Sequence, residues 1–69
     1  MKPLSGKEFA KAIVKRGWRL LRVEGSHHIY GKEGTAVRLS VPIHGSRPLK
    51  IGLQRHLTKM AGLSHDEIG

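Results

Sequence analysis

Residues 18–30 read Trp18-Arg19-Leu20-Leu21-Arg22-Val23-Glu24-Gly25-Ser26-His27-His28-Ile29-Tyr30, and this stretch sets the topology of the chain. Side chains in 18–24 follow the period of two that is typical of a strand, although both faces carry apolar residues. Gly25 and Ser26 are expected to form a bend, and residues 27–30 a short second strand. The stretch therefore predicts two antiparallel strands joined by a tight connection.

A third strand is predicted beyond the next turn. The turn is Gly31-Lys32-Glu33-Gly34, a run of turn-forming residues. Residues 36–41 follow as the strand, with Val37, Leu39 and Val41 on one face. Pro42 is expected to end the strand, because proline has no N–H to donate to a neighbouring strand.

Two helices are predicted to flank these strands. Ser5 can cap the first helix and Glu8 can return the hydrogen bond, while Gly17 is expected to end that helix. Residues 50–61 carry an apolar stripe at helical spacing and predict the second helix, which Gly62 stops. The stripe consists of Ile51, Leu53, Leu57, Met60 and Ala61.

The predicted order is helix, strand, strand, strand, helix. Two helices on one face of a three-stranded sheet make an α+β two-layer sandwich, which is the architecture of double-stranded-RNA-binding domains. The chain is short enough to form a single domain, residues 1–69. Residues 64–67 repeat the capping pattern of Ser5 and Glu8 and predict a final turn.

Composition narrows the function. The 69 residues include 13 Lys and Arg against 5 Asp and Glu, a net charge of +8 that is spread over the whole chain. A folded basic surface of this kind favours a polyanionic partner, either a nucleic acid or an acidic protein. The chain has no cysteine, which excludes disulfides, thiol catalysis and cysteine-based zinc sites. The sequence has neither an apolar run of about 20 residues nor an apolar signal core, so we expect a cytoplasmic protein without membrane attachment.

His27 is the candidate catalytic residue. An imidazole can both take and return a proton near neutral pH. RNA cleavage needs both steps, because a 2′-hydroxyl must lose a proton to attack phosphorus and the departing 5′-oxygen must gain one. Gly25 lets a phosphate approach the main chain closely, and Ser26 adds a small hydroxyl donor. The same pattern also fits an ordinary turn with inert surface histidines.

Neighbouring strand residues point to opposite faces, so at most one of His27 and His28 joins a given site. If Ile29 packs on the helices, His27 shares that covered face. His28 and Tyr30 would then face outward, where Tyr30 could stack on a base.

Basic side chains supply candidate phosphate contacts. Arg47 and Lys50 flank the start of the second helix, whose free amides favour anions. Lys7, Lys11 and Lys15 form a stripe on the first helix that suits solvent, RNA or an acidic protein.

The other histidines do not predict a metal site or a cofactor. Adjacent His27 and His28 cannot readily chelate one ion from a regular strand, and the sequence contains no His-x3-His helix pair. His44 follows Pro42 closely enough to join the site. His56 and His65 are expected to be inert.

Several segments together resemble the HicA (YcfA-like) mRNA interferase family. They are Lys2-Pro3-Leu4-Ser5-Gly6-Lys7-Glu8, residues 21–30, the strand 37–42 followed by His44, Leu49-Lys50-Ile51-Gly52-Leu53, and Ala61-Gly62-Leu63-Ser64. The resemblance implies a double-stranded-RNA-binding-domain-like fold and metal-independent cleavage of mRNA. It also implies the toxin role in a bacterial type II toxin–antitoxin pair, with a HicB antitoxin that blocks the active site. The functional histidine of the family follows a Gly-Ser or Gly-Gly pair, which corresponds to His27.

The resulting hypothesis is an endoribonuclease with His27 as the acid–base group. Either His44 or His27 itself, returning the proton that it took, would supply the proton to the leaving oxygen. The candidate RNA contacts are Gly25, Ser26, His28, Tyr30, His44, Arg47, Lys50, Lys7 and Lys11. We expect oligomers only through the antitoxin complex. A non-catalytic RNA-binding module and a ribosome-associated structural protein are the alternatives.

Overall fold

The computed structural model describes residues 2–63. The elements in chain order are α1 (Gly6–Val14), β1 (Arg19–Glu24), β2 (His27–Gly31), β3 (Arg38–Pro42) and α2 (Ile51–Ala61). This order confirms the predicted α+β fold, and it is consistent with the architecture of a double-stranded-RNA-binding domain. The final turn predicted at 64–67, with His65, lies outside the described residues.

The three strands form one antiparallel sheet in the order β1, β2, β3. The register aligns five rows across the sheet, and three of them are Glu24–His27–Pro42, Arg22–Ile29–Ser40 and Arg19–Gly31–Arg38. The register shifts between Leu20 and Arg22, so Leu21 is an extra residue in β1. This bulge determines which β1 side chains lie beside those of β2.

The helices pack against one face of the sheet, and the core lies between the two layers. Its members include Phe9, Ile13, Trp18, Tyr30, Leu39, Val41, Leu57 and Ala61. Tyr30 pairs with Leu39 and His28 with Val41, so both β2 residues lie on the helix side. The expectation that Ile29 packs on the helices and that Tyr30 faces outward is therefore wrong, because the apolar alternation of β3 determines the covered face.

The opposite face of the sheet, here called the open face, has no helix against it within the described residues. It carries Arg19, Arg22, Glu24, His27, Ile29, Gly31, Arg38 and Ser40. All six residues of β1 are exposed. No helix in the described part of the chain is long and apolar enough to cross a membrane.

A capping box starts α1, as predicted. The amide of Glu8 donates to Ser5 Oγ at 3.1 Å, and the amide of Ser5 donates to Glu8 Oε1 at 2.9 Å. The helix ends at Val14, earlier than predicted, and a turn then leads to Gly17 at a φ of 98°. Only glycine adopts such an angle without strain. Gly17 therefore has the left-handed conformation that was predicted, but it lies in the turn after the helix, and Lys15 is the C-cap.

Gln54 ties the N-terminal segment to α2. Its side chain is completely buried; Oε1 accepts a hydrogen bond from the amide of Leu4 at 2.8 Å, and Nε2 donates to the carbonyl of Lys2 at 2.7 Å. The amide of Leu49 in turn donates to the carbonyl of Leu4 at 2.7 Å. These bonds fix the position of the chain that leads into α2.

Candidate active site

The connection between β1 and β2 positions His27. Gly25 has a φ of 61°, the left-handed conformation that a two-residue connection requires and that glycine adopts without strain. His27 follows Ser26 directly and is the first residue of β2. Its side chain is exposed on the open face, contrary to the conditional expectation that it would be partly covered.

A hydroxyl group lies beside the His27 ring. Nδ1 of His27 lies 3.2 Å from Oγ of Ser40, within hydrogen-bonding distance. Because one ring nitrogen contacts Ser40, Nε2 is the nitrogen that a substrate can meet. Ser40 therefore orients the imidazole from the neighbouring strand.

His44 lies at the same end of the sheet. The amide of Ile43 donates to the carbonyl of Ser26 at 2.8 Å, which holds the segment after β3 against the connection. Oγ of Ser26 lies 3.4 Å from Nε2 of His44. The structure thus brings a second imidazole, that of His44, to the residue that precedes His27.

The segment between β3 and α2 forms a groove, called here the loop groove. It has a volume of about 390 Å³ and is lined by Pro42, His44, Arg47, Pro48, Leu49, Lys50 and Leu53. Lys50 is the N-cap of α2, and its side chain makes no capping hydrogen bond. No acidic residue occupies the first turn of α2. The free amides of that turn and the side chains of Arg47 and Lys50 can therefore all contact an anion.

Four other predicted residues form a separate group on the helix side of the sheet. The helix-side groove has a volume of about 650 Å³ and is lined by Lys7, Glu8, Ala10, Lys11, Val14, His28, Tyr30 and Ile43. Burial of Tyr30 raises the pKa of its phenol above the usual range. Lys7, Lys11, His28 and Tyr30 are therefore together, but the sheet lies between them and His27.

Sequence reasoning missed two neighbours of His27. Ser40 contacts the ring, and Glu24 lies directly opposite His27 in the register. Arg22 donates a hydrogen bond through Nε to Oε2 of Glu24. Placing Ser40 required the pairing of β3 with β2, which the alternation within a single strand does not contain. Glu24 and His27 flank the two-residue connection, so the predicted bend was the signal that could have paired them.

These groups can perform proton transfer at an anionic ester. An exposed imidazole oriented by a hydroxyl can act as a general base, and a second imidazole nearby can act as a general acid. Cationic side chains of the loop groove lie next to His44, where they can bind a phosphate. Between residues 2 and 63, no group of three or more His, Asp or Glu side chains is arranged to hold a metal ion.

Comparison with known proteins assigns the chain to a family. The family model described as the HicA toxin of bacterial toxin–antitoxin matches residues 6–63 of the 69-residue chain. No curated protein matches the chain. The matched segment contains every element of the fold and both imidazoles of the candidate site. The chain therefore belongs to the HicA toxin family of bacterial toxin–antitoxin systems.

Proposed function

We infer that this toxin is a metal-independent endoribonuclease that cleaves mRNA in the cytoplasm and is neutralised by a HicB-type antitoxin. Family membership implies the toxin role and an antitoxin partner. One observation supports the catalytic assignment above the others. The exposed imidazole of His27 contacts Ser40 and lies next to Ser26, which contacts His44.

The proposed reaction is a transesterification within the RNA. Nε2 of His27 removes the proton of a 2′-hydroxyl, and the resulting oxygen attacks the adjacent phosphorus. The bond from phosphorus to the 5′-oxygen breaks, which leaves a 2′,3′-cyclic phosphate on one fragment. The departing 5′-oxygen receives a proton from the imidazolium of His44 and becomes a 5′-hydroxyl.

The surroundings of the two imidazoles would hold the scissile phosphate. The glycine at position 25 exposes the backbone, and Ser26 offers its hydroxyl. Arg47 and Lys50 stabilise the additional negative charge of the transition state from the loop groove. In this arrangement Lys7, Lys11, His28 and Tyr30 reach only RNA that passes round the edge of the sheet.

Replacing the base tests the proposal. We expect His27→Ala to lose growth inhibition and to cleave RNA about 10²- to 10⁴-fold more slowly, because a positioned acid or base contributes that factor. Binding of RNA and of the antitoxin should persist. The matched control is His56→Ala, which removes an exposed histidine from α2 and should keep full toxicity. Full activity of His27→Ala would refute the assignment.

The alternative is a non-catalytic RNA-binding module, which the charge of +8 also favours. The two functions differ in one readout. A binding module would leave labelled RNA intact at every protein concentration, whereas the proposed nuclease converts it to fragments.

A further inference from the structure

The open face carries a cationic notch at the end of β2 away from His27. Gly31 lies at its centre, with Arg19 and Arg38 paired to it on either side. A Cβ atom added to Gly31 would lie 2.7 Å from Cδ1 of Leu21 and 3.3 Å from Nη1 of Arg38. Leu21 and Arg38 therefore reach over the buried glycine, and they can do so because position 31 has no side chain; together with Arg19 they form the wall of the notch.

The charge of the notch is positive. The notch has a volume of about 230 Å³ and is lined by Arg19, Leu21, Gly31, Lys32, Glu33 and Arg38. Three cations face a single carboxylate there. Nζ of Lys32 lies 5.8 Å from the centre of the Trp18 ring, which holds the ammonium at the rim. Arg38 donates one hydrogen bond to the carbonyl of Val37, and a guanidinium has five N–H groups in all.

A continuous path links this notch to His27. Arg19 and Arg38 belong to one row of the sheet, and His27 belongs to the row at the other end, opposite Glu24. Arg22 belongs to the middle row; its Nε donates to Glu24, so a ligand would meet its Nη groups. Gly31 lies four residue steps along β2 from His27, which corresponds to roughly 13 Å along the strand. A short single strand of RNA can span that distance.

We propose that Arg19, Arg22 and Arg38, named here the arginine track, bind the phosphates of single-stranded RNA on one side of the scissile bond, with one phosphate in the Gly31 notch. This assignment rests on the proposed function, because His27 marks the point of cleavage. It adds a substrate-binding surface that differs from the loop groove and from the helix-side groove.

Two features favour RNA over a protein as the occupant. Guanidinium groups match phosphate oxygens in a planar, bidentate geometry, and the notch has room for a small anion. Attack by a 2′-hydroxyl also needs a flexible backbone, which a single strand provides and a regular duplex does not. Of the exposed apolar side chains of β1, Leu20 and Val23 pair with Tyr30 and His28 and so lie on the helix side, while Leu21 borders the notch.

The test measures RNA binding as a function of salt. The protein is the full chain carrying His27→Ala, so that the probe, a short fluorescently labelled single-stranded RNA, is not cut. In that background we compare Arg19→Ala/Arg38→Ala with the control Arg55→Ala, which removes an exposed arginine from α2. Each phosphate contact on a single strand contributes about 0.7 to the slope of log K against log salt. Because Arg19 and Arg38 flank the one phosphate in the notch, we expect the double variant to reduce the magnitude of the slope by about 0.7 and the control to leave it unchanged.

The outcomes separate this proposal from the proposed function. An unchanged slope in the double variant, or an equal change in the Arg55→Ala control, overturns the arginine track. So does a double variant that loses antitoxin binding while it keeps RNA binding. With His27 intact, we expect the double variant to raise KM and keep kcat. If the intact protein cuts no RNA but the slope still falls, the catalytic proposal fails and the track stands.

Discussion

A single methyl group at Gly6 would disturb the junction between α1 and β3. A Cβ atom at this position would lie 2.0 Å from the carbonyl oxygen of Pro42, a backbone atom that cannot rotate away. The close approach holds the first turn of α1 against the residues that lead to His44. Gly6 is thus needed for its lack of a side chain rather than for an unusual backbone angle.

We therefore expect Gly6→Ala to destabilise the fold by about 1–3 kcal/mol or more, the range for overpacked sites. Gly52→Ala is the matched control, because a Cβ there would meet nothing within 4 Å. In helix α2 that substitution should stabilise by about 0.5–1 kcal/mol. Urea unfolding of the two variants measures both changes, and equal effects would contradict the packing argument.

Buried polar residues show what the sequence pattern could not provide. Gln54 lies beside the predicted apolar stripe of the second helix, and nothing in its spacing distinguishes it from a solvent-exposed polar residue. Its role is evident only once Lys2 and Leu4 are placed against it. The bend before His27, by contrast, was predictable from the sequence, because Gly25 and Ser26 are both turn-forming residues.

Among the secondary structure elements, the helices and strands were predictable because their start and stop signals are local. The capping box of Ser5 and Glu8 and the left-handed Gly62 are examples. The face of β2 was not predictable, because residues 27–30 do not alternate clearly and β1 is apolar on both faces. Only pairing with Leu39 and Val41 determined it. The arginine track depended on the same pairing and on the bulge near Leu21.

The capping box makes the stability of the fold depend on pH. Three interactions lower the pKa of Glu8. The hydrogen bond from the Ser5 amide has the largest effect, the hydrogen bond with the Ser5 side chain comes next, and the positive charge of Lys2 adds to both. A lowered pKa contributes stability above the pKa of the unfolded chain, and this contribution is lost as pH falls through the folded value. Glu8→Gln keeps an acceptor for the Ser5 amide but cannot titrate. We expect the variant to lose less stability than the parent on acidification below the ordinary range of glutamate, measured as urea midpoints over a pH series.

If the urea midpoints of the parent and of Glu8→Gln fell by the same amount on acidification, this account of the cap would be wrong. Ser5→Ala provides an independent check, because loss of an N-cap hydroxyl costs about 1 kcal/mol. That loss should be visible at neutral pH.

For the molecule as a whole, the sheet separates two surfaces with different chemistry. The open face presents His27, Ser40 and the arginine track. The helix side presents Leu20 and Val23 of β1 and, in the helix-side groove, Lys7 and Lys11 of α1. His44, which lines the loop groove, contacts Ser26 at one end of the sheet. A chain of this size can therefore bind a substrate on one face while its helices supply the core.

The chemistry of the RNA ends tests the account more sharply than loss of RNA alone. Purified protein is incubated with labelled RNA in EDTA, and the termini of the fragments are identified. We predict 2′,3′-cyclic phosphates paired with 5′-hydroxyls, and no such fragments from His27→Ala. Intact RNA, or fragments that carry 5′-phosphates and 3′-hydroxyls, would contradict proton transfer by His27.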